Sequence, residues 1–159
     1  MRTDYPAKVL VAWGEAISGN AQLRDWLIKN GYPELGLFCF ALRNKRDARE
    51  WLLKNGHPHL MAVISGIEGD AGALEWLERN GLHMLKQVAL TGDGDEAAMK
   101  WLLANGYREL AMLGHKMHVV KRGMTMTTRT RTSSPAISAA MHGVHLAAAH
   151  RNPCTATES

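Results

Sequence analysis

The chain has 159 residues, 46% of them apolar and 21% charged, with a formal net charge of +4. That length suits one domain, or a repeat array with a tail, and the apolar share excludes a chain too polar to build a core. No apolar stretch approaches the roughly 20 residues needed to cross a bilayer, and the opening Met1-Arg2-Thr3-Asp4-Tyr5-Pro6 lacks the basic-then-apolar layout of a signal peptide. Two cysteines, Cys39 and Cys154, stand far apart in different settings, which argues against a disulfide framework. The expected setting is therefore reducing and cytoplasmic. Charge is unevenly placed. Residues 121–159 carry Lys121, Arg122, Arg129, Arg131 and Arg151 against the single acid Glu158, so the whole net charge lies there. A neutral body gives no long-range steering toward nucleic acid.

From residue 7 onward the chain repeats with a period of 25. Trp-Leu-x-x-Asn-Gly recurs at Trp26-Leu27…Asn30-Gly31, Trp51-Leu52…Asn55-Gly56, Trp76-Leu77…Asn80-Gly81 and Trp101-Leu102…Asn105-Gly106. Upstream columns keep the same step: Leu10, Leu35, Leu60, Leu85 and Leu110, then Trp13, Phe38, Val63, Val88 and Leu113. Each unit reads as two helices. In the first, Leu60, Val63, Ile64 and Ile67 fall at i, i+3, i+4 and i+7, one stripe of a 3.6-residue period. In the second, the stripe is Leu23, Trp26 and Leu27, or Ala73, Trp76 and Leu77, so the tryptophans are expected in the core. Asn20, Asp70 and Asp95 stand where an N-cap accepts from free backbone N–H groups. In the second unit Lys45 takes that column, and Asn44 is expected to cap one residue early. Gly31, Gly56, Gly81 and Gly106 fit the left-handed position after a last turn, and Pro33 and Pro58 fit the first turn of the next helix.

The repeats are thus placed at about 7–31, 32–56, 57–81 and 82–106, with a capping helix at 107–119. A hairpin this small cannot bury both stripes alone, but stacked neighbours can. The predicted fold is all-α: an α-solenoid of stacked antiparallel helix hairpins, about nine helices, forming a domain over 1–120. A basic, low-complexity, disordered or loosely helical tail is expected over 121–159.

The run Gly69-Asp70…Ala73…Trp76-Leu77…Asn80-Gly81 resembles the second-helix segment of ankyrin repeats. Ankyrin units are longer and carry a β-turn finger with Thr-Pro-Leu-His, which is missing here. The likeness is to a shortened, ankyrin-like helical-hairpin repeat of bacterial type, and it implies a protein-binding scaffold.

Candidate chemistry is sparse. His57, His59, His83, the pair His115 and His118, and the pair His142 and His145 invite a metal reading, but no further ligands stand at suitable spacing. Ser65 has no elbow motif around it, and Cys39 occupies a core column. Gly92-Asp93-Gly94-Asp95 lacks the rest of a P-loop or an EF-hand. No catalytic residue, metal site or cofactor is predicted. Asp25/Lys29, Glu50/Lys54 and Glu75/Arg79 read as helix-stabilising i, i+4 pairs.

The expected function is a non-enzymatic, monomeric protein–protein interaction scaffold. Its contact surface is placed on positions that vary between repeats: Gln22, Asp47, Gly72 and Ala97, with Arg43, Lys45, Arg46, Glu68 and Asp93 at the turns. The alternative is nucleic-acid binding through the basic tail and the turn from Arg43 to Arg49, although no aromatic residue suited to base stacking interleaves that turn.

Overall fold

Why each hairpin forms is visible at its ends. The computed structural model describes residues 3–127, and there the chain is all-α. Nine helices are described: α1 (Ala7–Ile17), α2 (Ala21–Lys29), α3 (Pro33–Leu42), α4 (Arg46–Lys54), α5 (Pro58–Ile67), α6 (Ala71–Arg79), α7 (His83–Asp93), α8 (Glu96–Ala104) and α9 (Arg108–Thr127). Each even-numbered helix closes with the same device. The Asn side chain at 30, 55, 80 and 105 donates to the carbonyl of the Trp four residues earlier, at 2.7–2.8 Å. The following glycine is left-handed, with φ between 71° and 88°. The next N–H then bonds the carbonyl of the recurring leucine, Tyr32 to Leu27 and His57 to Leu52, which is the outer bond of a Schellman cap. Trp-Leu-x-x-Asn-Gly is therefore a helix-stop sequence.

Starts are equally explicit. Asn20 Oδ1 accepts from Leu23 N, Asp70 Oδ1 from Gly72 N and Ala73 N, and Asp95 Oδ1 from Ala97 N and Ala98 N. The expectation for α4 is corrected. Lys45 is its N-cap and makes no side-chain cap bond. Asn44 does not cap either. It holds the left-handed position (φ 66°) taken elsewhere by Gly19, Gly69 and Gly94, and its Oδ1 accepts from Arg49 instead. Asparagine is one of the few residues other than glycine that tolerates that conformation.

Odd-numbered helices supply most of the core. Leu35, Phe38, Cys39 and Leu42 are buried, as are Leu60, Val63, Ile64 and Ile67, and Trp13 packs edge-on against Phe38 at 4.9 Å. The even-numbered helices contribute a narrower stripe of Ala48/Leu52, Ala73/Leu77 and Ala98/Leu102 at i, i+4. The tryptophans are not core residues as a column: Trp26 is 39% exposed and Trp101 42%, while Trp51 and Trp76 are half-buried. One residue is about 100° of helix rotation, so a Trp beside a core-pointing Leu sits at the margin of the stripe. There Trp51 stacks on His57 and Trp101 on Tyr107, the residues just after each cap.

The odd-numbered helices touch in succession, α1 to α3, α3 to α5, α5 to α7 and α7 to α9, and α9 also lies against α1. The row of hairpins curves until its ends meet, with α2, α4, α6 and α8 on the outside. Lys116 of α9 bridges that seam to Glu15 of α1. Glycine permits a close crossing of α9 on α7: a Cβ on Gly114 would lie 2.8 Å from Thr91 Cβ and 3.0 Å from the Val88 carbonyl oxygen of α7. α9 also continues past the expected end at 119, to Thr127.

Candidate functional site

The positions expected to form a contact surface fall into two groups. Gln22, Asp47, Gly72 and Ala97 each occupy the second position of an outer helix, and in α2, α6 and α8 a side-chain cap fixes that start. Gln22, Asp47 and Ala97 are exposed and Gly72 is half-buried, each a few residues from a fully buried leucine. Lys45 is exposed at the start of α4, and Asp93 is exposed at the end of α7.

The second group makes hydrogen bonds and ion pairs within the chain, Arg43 and Glu68 between hairpins and Arg46 on the exposed face of α4. Arg43 Nη2 donates to the Ile17 carbonyl at 2.9 Å, tying the second hairpin to the end of α1. Arg46 Nε donates to Glu50 at 2.8 Å. Arg49, not among the expected surface residues, donates to the Ala41 carbonyl and to Glu68 Oε1 at 2.7 Å. Glu68 takes a second cation from far along the chain, Lys121 Nζ at 2.8 Å. Burial disfavours ionisation of Glu68, but the hydrogen bonds and charges of Arg49 and Lys121 outweigh it and hold its carboxyl below the usual range. Glu68 is thus the junction of α4, the end of α5 and the extended α9. The fold brings Arg49 of the 43–49 turn and Lys121 of the basic segment onto one carboxylate.

Of the i, i+4 pairs, Glu50 meets Lys54 and Glu75 meets Arg79, whereas Asp25 pairs with its neighbour Arg24. Histidines are scattered in role. His118 Nδ1 lies 3.1 Å from the Gly92 carbonyl, His83 lies beside Glu78, and His115 is exposed. His57 and His59 do come together, with ring centroids 5.9 Å apart. Glu34, which the sequence did not single out, is buried near them and accepts from the Tyr5 hydroxyl. Burial lowers the His57 pKa, with the Glu34 charge opposing. Among the described residues, no three His, Cys, Asp or Glu side chains form a set able to hold a metal ion. His142 and His145 lie outside the described residues. Cys39 is buried, donates to the Leu35 carbonyl, and has its thiol pushed up to about 12 by burial. Asp95 caps α8, and Gly94 is the left-handed end of α7, so Gly92-Asp93-Gly94-Asp95 is a helix junction. No described helix is long and apolar enough to cross a membrane.

A further surface feature was missed in the sequence. Where α9 meets α1, a cleft of about 220 Å³ opens between Leu10 and Val11 on one wall and Met112 and Leu113 on the other. Val11 is 55% exposed and Met112 44%. The signal for it was present: the fifth unit begins but no Trp-Leu-x-x-Asn-Gly follows.

Comparison with protein-family models, with curated proteins and with solved structures finds no match for this chain.

Proposed function

We propose that this chain is a non-enzymatic protein-binding scaffold whose contact row runs across the starts of the outer helices, at Gln22, Asp47 and Ala97, with Lys45, Arg46 and Asp93 at the adjoining turns. One observation carries the reading. The outer helices of the first, second and fourth hairpins place an exposed residue at the same point, in a register set by the identical buried column Leu27, Leu52, Leu77 and Leu102. The buried column is constant and the exposed one varies, which is how a repeat surface separates architecture from recognition. The likeness of Gly69-Asp70, Ala73, Trp76-Leu77 and Asn80-Gly81 to ankyrin repeats supports the same reading. Nucleic-acid binding draws less support, because Arg43 and Arg49 already donate to carbonyl oxygens and to Glu68. The scaffold is read as monomeric and cytoplasmic, a setting that keeps the Cys39 thiol reduced.

Affinity capture from native-host lysate with the full chain tests it. One stoichiometric protein partner should be retained, and the double variant Gln22→Arg, Asp47→Arg should lose it while keeping its helical circular dichroism and a cooperative melt. Retention of the partner by that variant would remove the contact row. Capture of nucleic acid that is released by modest salt would remove the scaffold reading.

A further inference from the structure

The four helix stops set one chemically reactive pair, Asn-Gly, at the same point of each outer helix. Glycine has no side chain to hinder its own backbone nitrogen from approaching a neighbouring group. Once deprotonated, that nitrogen can bond to Cγ of the preceding asparagine. The Cγ–Nδ2 bond breaks, ammonia leaves carrying the proton, and a five-membered succinimide closes. Water then opens the ring at either carbonyl, giving aspartate or, with the main chain rerouted through Cβ, isoaspartate. Asn30, Asn55, Asn80 and Asn105 and the glycines after them are all exposed, and a Cβ on any of these glycines would meet nothing within 4 Å. Water and base therefore reach every pair. What holds the reaction back is the shape of the stop. Ring closure needs the glycine nitrogen eclipsed with the asparagine Cβ about the Cα–C bond. The four asparagines hold ψ at 22°, 16°, 11° and 9°, which turns that nitrogen away from Cβ by about a third of a turn. Each asparagine Nδ2 is also tied to the Trp carbonyl four residues back. Gly81 N and Gly106 N, two of the attacking nitrogens, donate to the Glu78 and Leu103 carbonyls at 3.0 and 3.2 Å.

We propose that the four Asn-Gly stops are latent deamidation sites, each reacting only when the last turn of its own outer helix opens, so that a hairpin's opening is recorded in covalent form. This does not rest on the scaffold reading. Either product also disables the stop. Aspartate lacks the Nδ2 donor that satisfies the Trp carbonyl, and it sets an anion at a helix C-terminus, where the helix dipole disfavours it. Isoaspartate adds a carbon to the main chain between the last turn and the left-handed glycine. The next N–H, Tyr32 or His57, then no longer falls in register with the Leu27 or Leu52 carbonyl it bonds in the intact stop. A hairpin that has reacted once is left with a weaker end and opens more readily than before.

The test holds the full chain in mildly alkaline buffer, both native and in urea beyond its melt. Each Asn-Gly peptide is then scored by mass spectrometry, with aspartate and isoaspartate forms separated by chromatography. In urea all four pairs should react at similar rates. In the native chain each should react at least about tenfold more slowly, which corresponds to an opening free energy of about 1.4 kcal/mol or more. The native rates should climb as urea is raised below the melt. Asp70→Ala removes the side-chain cap of α6, a helix of nine residues whose start and end open together. With its helical circular dichroism kept, Asn80 should react about fivefold faster, the factor that loss of an ordinary cap gives, while Asn30 keeps its rate. Native rates equal to those in urea overturn the inference, as do native rates that stay flat as urea rises toward the melt. No reaction in urea overturns it too. Four rates that rise together in Asp70→Ala assign the protection to the whole array rather than to each stop, and also overturn it.

Discussion

Replacing Lys45 with aspartate should stabilise the protein. The backbone at Lys45 (φ −75°, ψ 110°) already matches that of Asp70 (−79°, 103°) and Asp95 (−75°, 108°), both of which cap with their side chains. An aspartate there needs no rearrangement to accept from Asp47 N and Ala48 N, as Asp95 accepts from Ala97 N and Ala98 N at 2.8 and 3.1 Å. A cap of this kind contributes about 1 kcal/mol over alanine. Removing a cation from a helix N-terminus and adding an anion contributes about 0.5 kcal/mol more at low salt. The neighbouring Asp47 carboxylate subtracts about 0.3 kcal/mol by like-charge repulsion. The net gain is about 1 kcal/mol, or roughly 4 °C in Tm for a chain of this size. Lys45→Ala and Lys45→Asn separate the contributions. Asparagine should recover the hydrogen-bond share, and that share should persist in high salt while the aspartate excess fades. Thermal melts followed by circular dichroism read all three. A Tm for Lys45→Asp no higher than for Lys45→Ala would refute the account of how α4 begins.

Glycine substitutions should separate the two walls around α9. Gly114→Ala meets Thr91 Cβ and the Val88 carbonyl oxygen and should cost about 1–3 kcal/mol. Gly14→Ala meets the flexible Lys116 side chain at 3.3 Å and Leu113 Cδ1 at an ordinary 3.8 Å and should be neutral or stabilising by up to about 1 kcal/mol, so equal losses in urea titrations would contradict the seam geometry. Glu68, whose pKa is lowered by folding, contributes stability that is present above its unfolded pKa of about 4.3 and lost as pH falls through the folded value. Glu68→Gln should therefore cost about 1.5–3 kcal/mol at pH 7 and flatten the loss of stability below about pH 4; a parallel, undiminished acid profile would show that Glu68 is not the group responsible. A thiol reagent at pH 7 should modify Cys39 only on the timescale of unfolding, measured by mass spectrometry before and after denaturant. Rapid modification of Cys39 in native protein would contradict the packing of α3.

The hairpin repeat was legible because its punctuation is chemical. Asn20, Asp70 and Asp95 start helices, and Asn-Gly at 30–31, 55–56, 80–81 and 105–106 stops them, wherever the surrounding chain goes. The burial of the tryptophans was less legible. Recurrence fixes the register of Trp26 and Trp101 but not their side of the helix. Position 48, 73 or 98 with 52, 77 or 102 gives a cleaner core phase than the more visible aromatic column. Exposure of Gln22 and Asp47 followed from that phase. The engagement of Glu68 did not, because Lys121 is 53 residues away and meets it through the curvature of the whole row. That curvature is a sum of small rotations between hairpins, and a 25-residue window does not contain it. The same is true of the Val11 cleft, which exists only because α9 arrives beside α1.

That arrival also sets how many hairpins the chain can have. An open array gains or loses a repeat with little penalty, since an added unit meets only its neighbours. Here Lys116 and Glu15, 101 residues apart, must meet for the seam to form. A duplicated or deleted 25-residue unit would change the rotation accumulated between them and leave the ends apart. Folding inherits the same constraint: the hairpins form from local contacts, and the last contact to pair waits on closing the longest loop. The repeats are copies of one another, yet their number is as fixed as any residue in the core.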